Sequence, residues 1–195
     1  LAKVKLNQVK SPCGCHRFFR GSFRACSKKI WTQLRQGVID FMIRVLFVCL
    51  GNICRSPMAE AVMRDLIEKA QLTDKIDVDS AATSAWHIGE PPHRGTQDKL
   101  REYGIATKGM QGRQLQKQDF DQFDYIVGMD ENNVRNIFTM LGNPDSPKIF
   151  RFLDLTDHQM DVPDSYYTGD FQETYELVLE GCQALLEKIK FDNKL

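Results

Sequence analysis

The chain has 195 residues, 42% hydrophobic and 27% charged, which is enough for one substantial core and ordinary for a soluble globular protein. Its formal net charge of zero hides two unlike parts: residues 1–41 hold nine Lys/Arg against Asp40 alone, and the remainder carries 17 Lys/Arg and 25 Asp/Glu. The acidic balance of the larger part argues against nucleic acid as its partner. No apolar run reaches membrane-spanning length, and no signal-peptide core is visible.

The basic head, residues 1–41, alternates basic and small residues without periodicity, and we expect it to be disordered or foreign to the folded domain, which we place at 42–195. Three readings stay open: coding sequence upstream of a start at Met42, which we prefer; an Arg-rich targeting presequence; and a basic tail that touches nucleic acid or acidic lipid. Cys13-Gly14-Cys15-His16 with Cys26 matches no common zinc spacing. A helical turn is expected over Ile30–Leu34. The six cysteines, Cys13, Cys15, Cys26, Cys49, Cys54 and Cys182, form no disulfide framework and suit a reducing, cytoplasmic setting.

The run Ile43–Val48 is apolar and β-branched, as in a buried parallel strand. Ser56 looks like a helix N-cap with Pro57 at the first helical position, and the helix Met58–Ala70 follows. Ile76–Ser80 is the second strand. A loop over residues 81–95 leads to a helix, Thr96–Tyr103, closed by Gly104. A polar connection, Lys108–Gln118, precedes the third strand, Phe123–Met129. Asp130 caps the helix Glu131–Leu141. After a break at Gly142–Pro147 come a short fourth strand, Lys148–Phe152, and an irregular stretch, Leu155–Gly169. Asp170 caps the last helix, Phe171–Lys190, with a core face that includes Tyr175, Leu185 and Ile189. Strands alternating with helices predict an α/β fold: a single domain built on a four-stranded parallel sheet, helices on both faces, and a ligand site at the carboxyl ends of the strands.

Cys49 stands at such an end. The loop Cys49-Leu50-Gly51-Asn52-Ile53-Cys54-Arg55, between a strand and a helix start, can aim backbone N–H groups at one anion while the helix dipole adds positive potential. Gly51 and Asn52 tolerate the positive φ that a tight loop needs. Arg55 adds a planar fork for a tetrahedral oxyanion. That field is expected to lower the Cys49 pKa into the range of roughly 4–7, leaving a thiolate to which Ser56 can donate its hydroxyl.

The stretch Val48-Cys49-Leu50-Gly51-Asn52-Ile53-Cys54-Arg55-Ser56-Pro57 resembles the signature loop of low-molecular-weight protein tyrosine phosphatases. The resemblance continues through Asp77-Val78-Asp79-Ser80, Trp86, Phe123–Asp130 and Asp164-Ser165-Tyr166-Tyr167, and covers about Met42 to Ile189. It implies a metal-independent hydrolase with no cofactor, acting on phosphotyrosine proteins or small aryl phosphates as a monomer or weak dimer.

A thiolate that attacks a phosphate ester expels an alkoxide or phenoxide that needs a proton. Asp164, on an irregular segment beside Pro163 and two tyrosines, is the candidate donor. Ser165 stands where the family has Pro. By the same resemblance, Cys49 is the nucleophile, Arg55 the charge clamp, and Asn52 the brace of the loop with Ser80 as its partner. Leu50, Ile53, Trp86 and Tyr166 line an aromatic slot. Asp130 orients Arg55 or serves only as a helix cap, and Trp86 has the rival reading of a partly buried core aromatic. Cys54 either forms a reversible disulfide with Cys49 or is a small buried filler. Tyr166 and Tyr167 resemble tyrosines phosphorylated in some relatives.

Three other functions compete with this reading. An arsenate reductase of this loop type needs further relay thiols, and only Cys182 lies beyond Cys54. Protein arginine phosphatases carry Thr where Ile53 stands. A phosphotyrosine-binding module has no use for both Cys49 and Asp164.

Overall fold

The computed structural model describes residues 42–142 and 146–195. The expectations for the basic head, including its cysteine cluster and helical turn, lie outside them. The central strand β1, Ile43–Cys49, is buried from Val45 onward, and its side chains serve two cores by alternation. Val45 and Phe47 join the cluster that holds Met58, Val62, Val178 and Leu185, whereas Leu46 and Val48 join the cluster of Leu115, Phe123, Ile137 and Leu141. A strand apolar from Val45 to Cys49 without a break is stable only with both faces covered, and here helices cover both.

The remaining elements are α1 (Arg55–Lys69), β2 (Ile76–Ala82), α2 (Arg94–Glu102), a short α3 (Asp119–Gln122), β3 (Tyr125–Gly128), α4 (Glu131–Leu141), β4 (Ile149–Arg151), a 3-10 turn (Phe152–Leu155), a short α5 (Ser165–Thr168) and α6 (Phe171–Asn193). The sheet order is β2-β1-β3-β4, and every pairing is parallel. α1 and α6 pack on one face, where Phe47 meets Phe152 edge-on with ring centroids 5.4 Å apart. α4 packs on the other through Ile137 and Leu141. Truncating Phe47 to Ala would cost about 3–5 kcal/mol in such a core.

The expected single α/β domain is therefore present, and the differences are local. The expected cap at Ser56 does not form. The cap position is Cys54, no side chain caps the helix there, and α1 starts at Arg55. The Ser56 hydroxyl is engaged elsewhere, as described below. α2 starts at Arg94 rather than at Thr96, and His93 caps it by accepting from Gly95 N at 3.1 Å. Gly104 does adopt the left-handed conformation, φ 74°. The stretch expected to be irregular contains α5, which Asp164 caps. The polar connection contains a single parallel bridge, Ala82↔Gln114, which extends β2 toward the site.

Candidate active site

β1 ends at Cys49 and α1 begins at Arg55, so five residues span the turn. Outside partners hold its carbonyls: Thr83 N donates to Cys49 O (2.9 Å), Ser84 N to Leu50 O (3.0 Å) and His93 N to Ile53 O (2.7 Å). With carbonyls taken from outside, loop N–H groups are available to an anion on the concave side. The positive φ falls on Asn52 alone, at 55°; Gly51 is not left-handed. A Cβ at Gly51 would lie 3.2 Å from His87 Cδ2, close enough that the ring would have to shift by a few tenths of an ångström.

Three hydrogen bonds keep Asn52 in this costly conformation. Its Nδ2 donates to Ser56 Oγ (2.9 Å) and Ser80 Oγ (2.8 Å), and its Oδ1 accepts from Arg113 N (2.9 Å). The Ser80 hydroxyl passes the chain on to the buried carboxyl of Glu60, which also pairs with Arg64 at 2.5 Å. Burial pushes the Glu60 pKa up, against the opposing pull of the Ser80 hydrogen bond and the Arg64 charge.

The Cys49 sulfur receives two donors, Asn52 N at 3.2 Å and Ser56 Oγ at 3.0 Å. Ser56 thus serves the sulfur, which explains why it does not cap the helix. Cys54, in the same loop, differs. Burial first, then the charges of Cys49 and Asp164, push its thiol up to about 12, so it remains protonated at neutral pH.

Arg55 is 3% exposed. Its Nη1 donates to Asp130 Oδ2 (2.6 Å) and Val162 O (3.2 Å), and its Nη2 to Asp164 Oδ2 (2.6 Å). Burial would lower its pKa, but the charges of Cys49, Asp164 and Asp130 outweigh that and hold it above its usual value. Arg55 Nε is buried and has no protein partner, a donor left for an oxyanion. Asp130 turns out to be both orienter and cap, since its Oδ1 accepts from Asn133 N at 2.6 Å. Asp164 likewise caps α5 through Oδ1 while Oδ2 holds Arg55.

Above the sulfur lies a cavity of about 160 Å³ lined by Cys49, Leu50, Gly51, Ile53, Cys54, Trp86, His87, Asp164, Tyr166 and Tyr167. Trp86 is 69% exposed, which rules out the core-aromatic reading. Tyr166 and Tyr167 meet edge-on across 5.2 Å, and His93 stacks on Phe171 at 5.3 Å behind them.

The structure brings together every residue singled out from sequence: Cys49 to Ser56 in the loop, Ser80 and Asp130 beneath it, Trp86, Asp164 and Tyr166 at the mouth. Sequence reasoning missed His87 in the lining, and Glu60 and Arg113 in the support, whereas Tyr167, noted with Tyr166 beside Asp164, does line the cavity. Glu60 did carry a signal: it lies four residues after Ser56, so the two share one helix face, and a carboxylate there sits amid an apolar run. Arg113, in a polar loop, carried none. Among the described residues no group of three or more His, Cys, Asp and Glu side chains could hold a metal ion.

Residues 44–195 match the family model of the low molecular weight phosphotyrosine protein phosphatases. The chain is 51% identical over 156 residues to the low molecular weight protein-tyrosine-phosphatase YfkJ of Bacillus subtilis (strain 168), spanning 79% of this chain and 100% of that one. It is 44% identical over 156 residues to PtpA of Staphylococcus aureus (strain MRSA252), a low molecular weight protein-tyrosine-phosphatase, spanning 79% and 98%. The crystal structure of YfkJ superposes with a TM-score of 0.75 at 52% identity, covering 77% of this chain and 96% of that one.

Proposed function

This chain belongs to the low molecular weight phosphotyrosine protein phosphatase family, and on that footing we propose that Cys49, Arg55 and Asp164 hydrolyse phosphotyrosine and other aryl phosphate monoesters in two displacements. Cys49 Sγ attacks phosphorus. The S–P bond forms as the bond to the leaving phenoxide breaks, and Asp164 gives its proton to that oxygen. Water then attacks phosphorus, the S–P bond breaks back to thiolate, and the Asp164 carboxylate takes the water's proton. Arg55 and the loop N–H groups hold the equatorial oxygens in both steps.

The observation that carries this reading is the convergence on one point of a sulfur with two donors at 3.0 and 3.2 Å, a buried arginine with an unpartnered Nε, and a carboxylate at 2.6 Å from that arginine. The aromatic mouth gives the ring of a phosphotyrosine something to stack on, and Ile53 adds an apolar wall. The positive charge that a metal would supply comes from Arg55. A nucleophile that must stay reduced suits a reducing compartment, and we place the protein in the cytoplasm, as a monomer or weak dimer. Among the described residues no helix is long and apolar enough to cross a membrane.

The test is turnover of para-nitrophenyl phosphate in EDTA, followed by phosphotyrosine and phosphoarginine peptides side by side. Metal-independent turnover with preference for phosphotyrosine is expected. Preference for phosphoarginine would move the chain to the arginine phosphatases, and retention of the phosphopeptide without release of phosphate would make it a binding module.

A further inference from the structure

The loop's brace has an end that the loop itself does not supply. Asn52 Oδ1 accepts from the backbone N–H of Arg113, 61 residues away in the chain, at 2.9 Å. Arg113 lies on a strap that touches the phosphate loop, the end of β2 and the loop that follows it. Its own carbonyl accepts from Ala82 N (2.8 Å), just past the bridge that extends β2. One residue earlier, Gly112 N donates to Glu90 O (2.8 Å) and Gly112 O accepts from Gly89 N (2.7 Å), which ties the strap to the loop that carries Trp86 and His87.

The Arg113 side chain anchors this strap. Nε donates to Asp79 Oδ2 at 2.9 Å, and Nη1 donates to Asp119 Oδ2 at 3.0 Å. Asp119 is itself buried and accepts from Gln116 N at 2.7 Å. A guanidinium that bridges two carboxylates on different elements fixes its own backbone far better than an ammonium would. Burial would lower its pKa, yet the hydrogen bond and charge of Asp119 and the charge of Asp79 hold it above its usual value.

We propose that Arg113 is a positioning residue for the phosphate loop: its side chain, clamped between Asp79 and Asp119, fixes the N–H that holds the Asn52 side chain, and through Asn52 the loop conformation that places Cys49. The proposal rests on the phosphatase reading, because the loop it positions is the one assigned to bind phosphate. Asn52 N is one of the two donors to the Cys49 sulfur and Asn52 Nδ2 holds Ser56, the other donor. A shift of Asn52 therefore reaches the sulfur twice.

The experiment compares wild type, Arg113→Ala, Arg113→Lys, Asp119→Asn, Asn52→Ala and the Asn52→Ala/Arg113→Ala double variant. It reads kcat and KM on para-nitrophenyl phosphate, the rate of Cys49 alkylation by iodoacetate with and without inorganic phosphate, and the thermal midpoint. Arg113→Ala is expected to lower kcat about tenfold, in line with one lost charge-anchored hydrogen bond, to change KM less, and to weaken protection of Cys49 by phosphate. Arg113→Lys should recover part of both. The double variant should be no slower than Asn52→Ala alone, because the two act in series. Should Arg113→Ala prove too unstable to assay, Asp119→Asn takes its place. A wild-type kcat with a lowered melting point, or a double variant slowed by the product of the single effects, would overturn the proposal. A wild-type protein without turnover would defeat the phosphatase reading instead, and phosphate protection of Cys49 would still decide the role of Arg113.

Discussion

Two thiols five residues apart in one loop have opposite surroundings. Cys49 closes a strand, and its sulfur is met by a backbone N–H and a hydroxyl. Cys54 opens a helix and faces burial and two negative neighbours, which push its thiol up to about 12. Both side chains line the same cavity and both are nearly hidden from solvent. Lining the same cavity therefore does not give two cysteines the same surroundings. What separates the two is the direction of the nearby dipoles: toward the sulfur at Cys49, absent or outweighed by burial at Cys54.

The sharpest way to break that comparison is chemical. Cys49→Ser is expected to reduce para-nitrophenyl phosphate turnover to background. In the unaltered protein, iodoacetate at neutral pH should modify Cys49 and leave Cys54 intact by peptide mass mapping. Equal labelling of Cys54 would erase the distinction. Next in size, Asp164→Ala is expected to lower kcat by about 10²–10⁴-fold while a phosphoenzyme can still be trapped by rapid acid quench. A wild-type rate would remove Asp164 from the acid role and leave it as the cap of α5 and a partner of Arg55.

A smaller effect is expected at the mouth. Trp86→Ala should raise KM for phosphotyrosine peptides about three- to tenfold, the loss of one aromatic contact worth about 0.5–1.5 kcal/mol, with kcat little changed. An unaltered KM would show that the exposed indole does not touch the substrate ring.

The smallest expected effect lies beneath the loop, at Glu60. Its pKa in the folded protein lies above the ordinary carboxylate value, so the fold holds this proton more tightly than the unfolded chain does. The stability it contributes is complete below the unfolded pKa and is lost as pH rises through the folded one. Glu60→Gln should therefore flatten the fall of the melting point as pH rises above the ordinary carboxylate range, relative to wild type. An identical slope in both proteins would mean that Glu60 is ionised in the fold as freely as in the unfolded chain.

Much of this could be read before any coordinates. The apolar run at Val45–Val48 forced a central, doubly covered strand, and the spacing from Cys49 to Arg55 forced a short turn onto a helix. Asp164 was legible in part from its place on an irregular segment beside Pro163 and two tyrosines, and the resemblance strengthened that reading, because a loop aspartate by itself carries only a weak signal. The misreadings share one cause. Ser56 has the composition of a cap, and Gly51 that of a left-handed residue, but both meet tertiary partners: the Cys49 sulfur claimed the hydroxyl, and the His87 ring stands close to Gly51. Arg113 was invisible for the same reason, since what matters there is a backbone N–H aimed across the fold.

Gly112 carries a consequence of its own. A methyl group at this position would stand 2.5 Å from the carbonyl oxygen of His87, a backbone atom that cannot swing aside, and 3.6 Å from Asn52 O. The spacing between the backbone of the Trp86–His87 loop and that of the Cys49–Arg55 loop is thus held at a value that only a residue without a side chain permits, and any larger residue at Gly112 would have to push the His87 backbone away first.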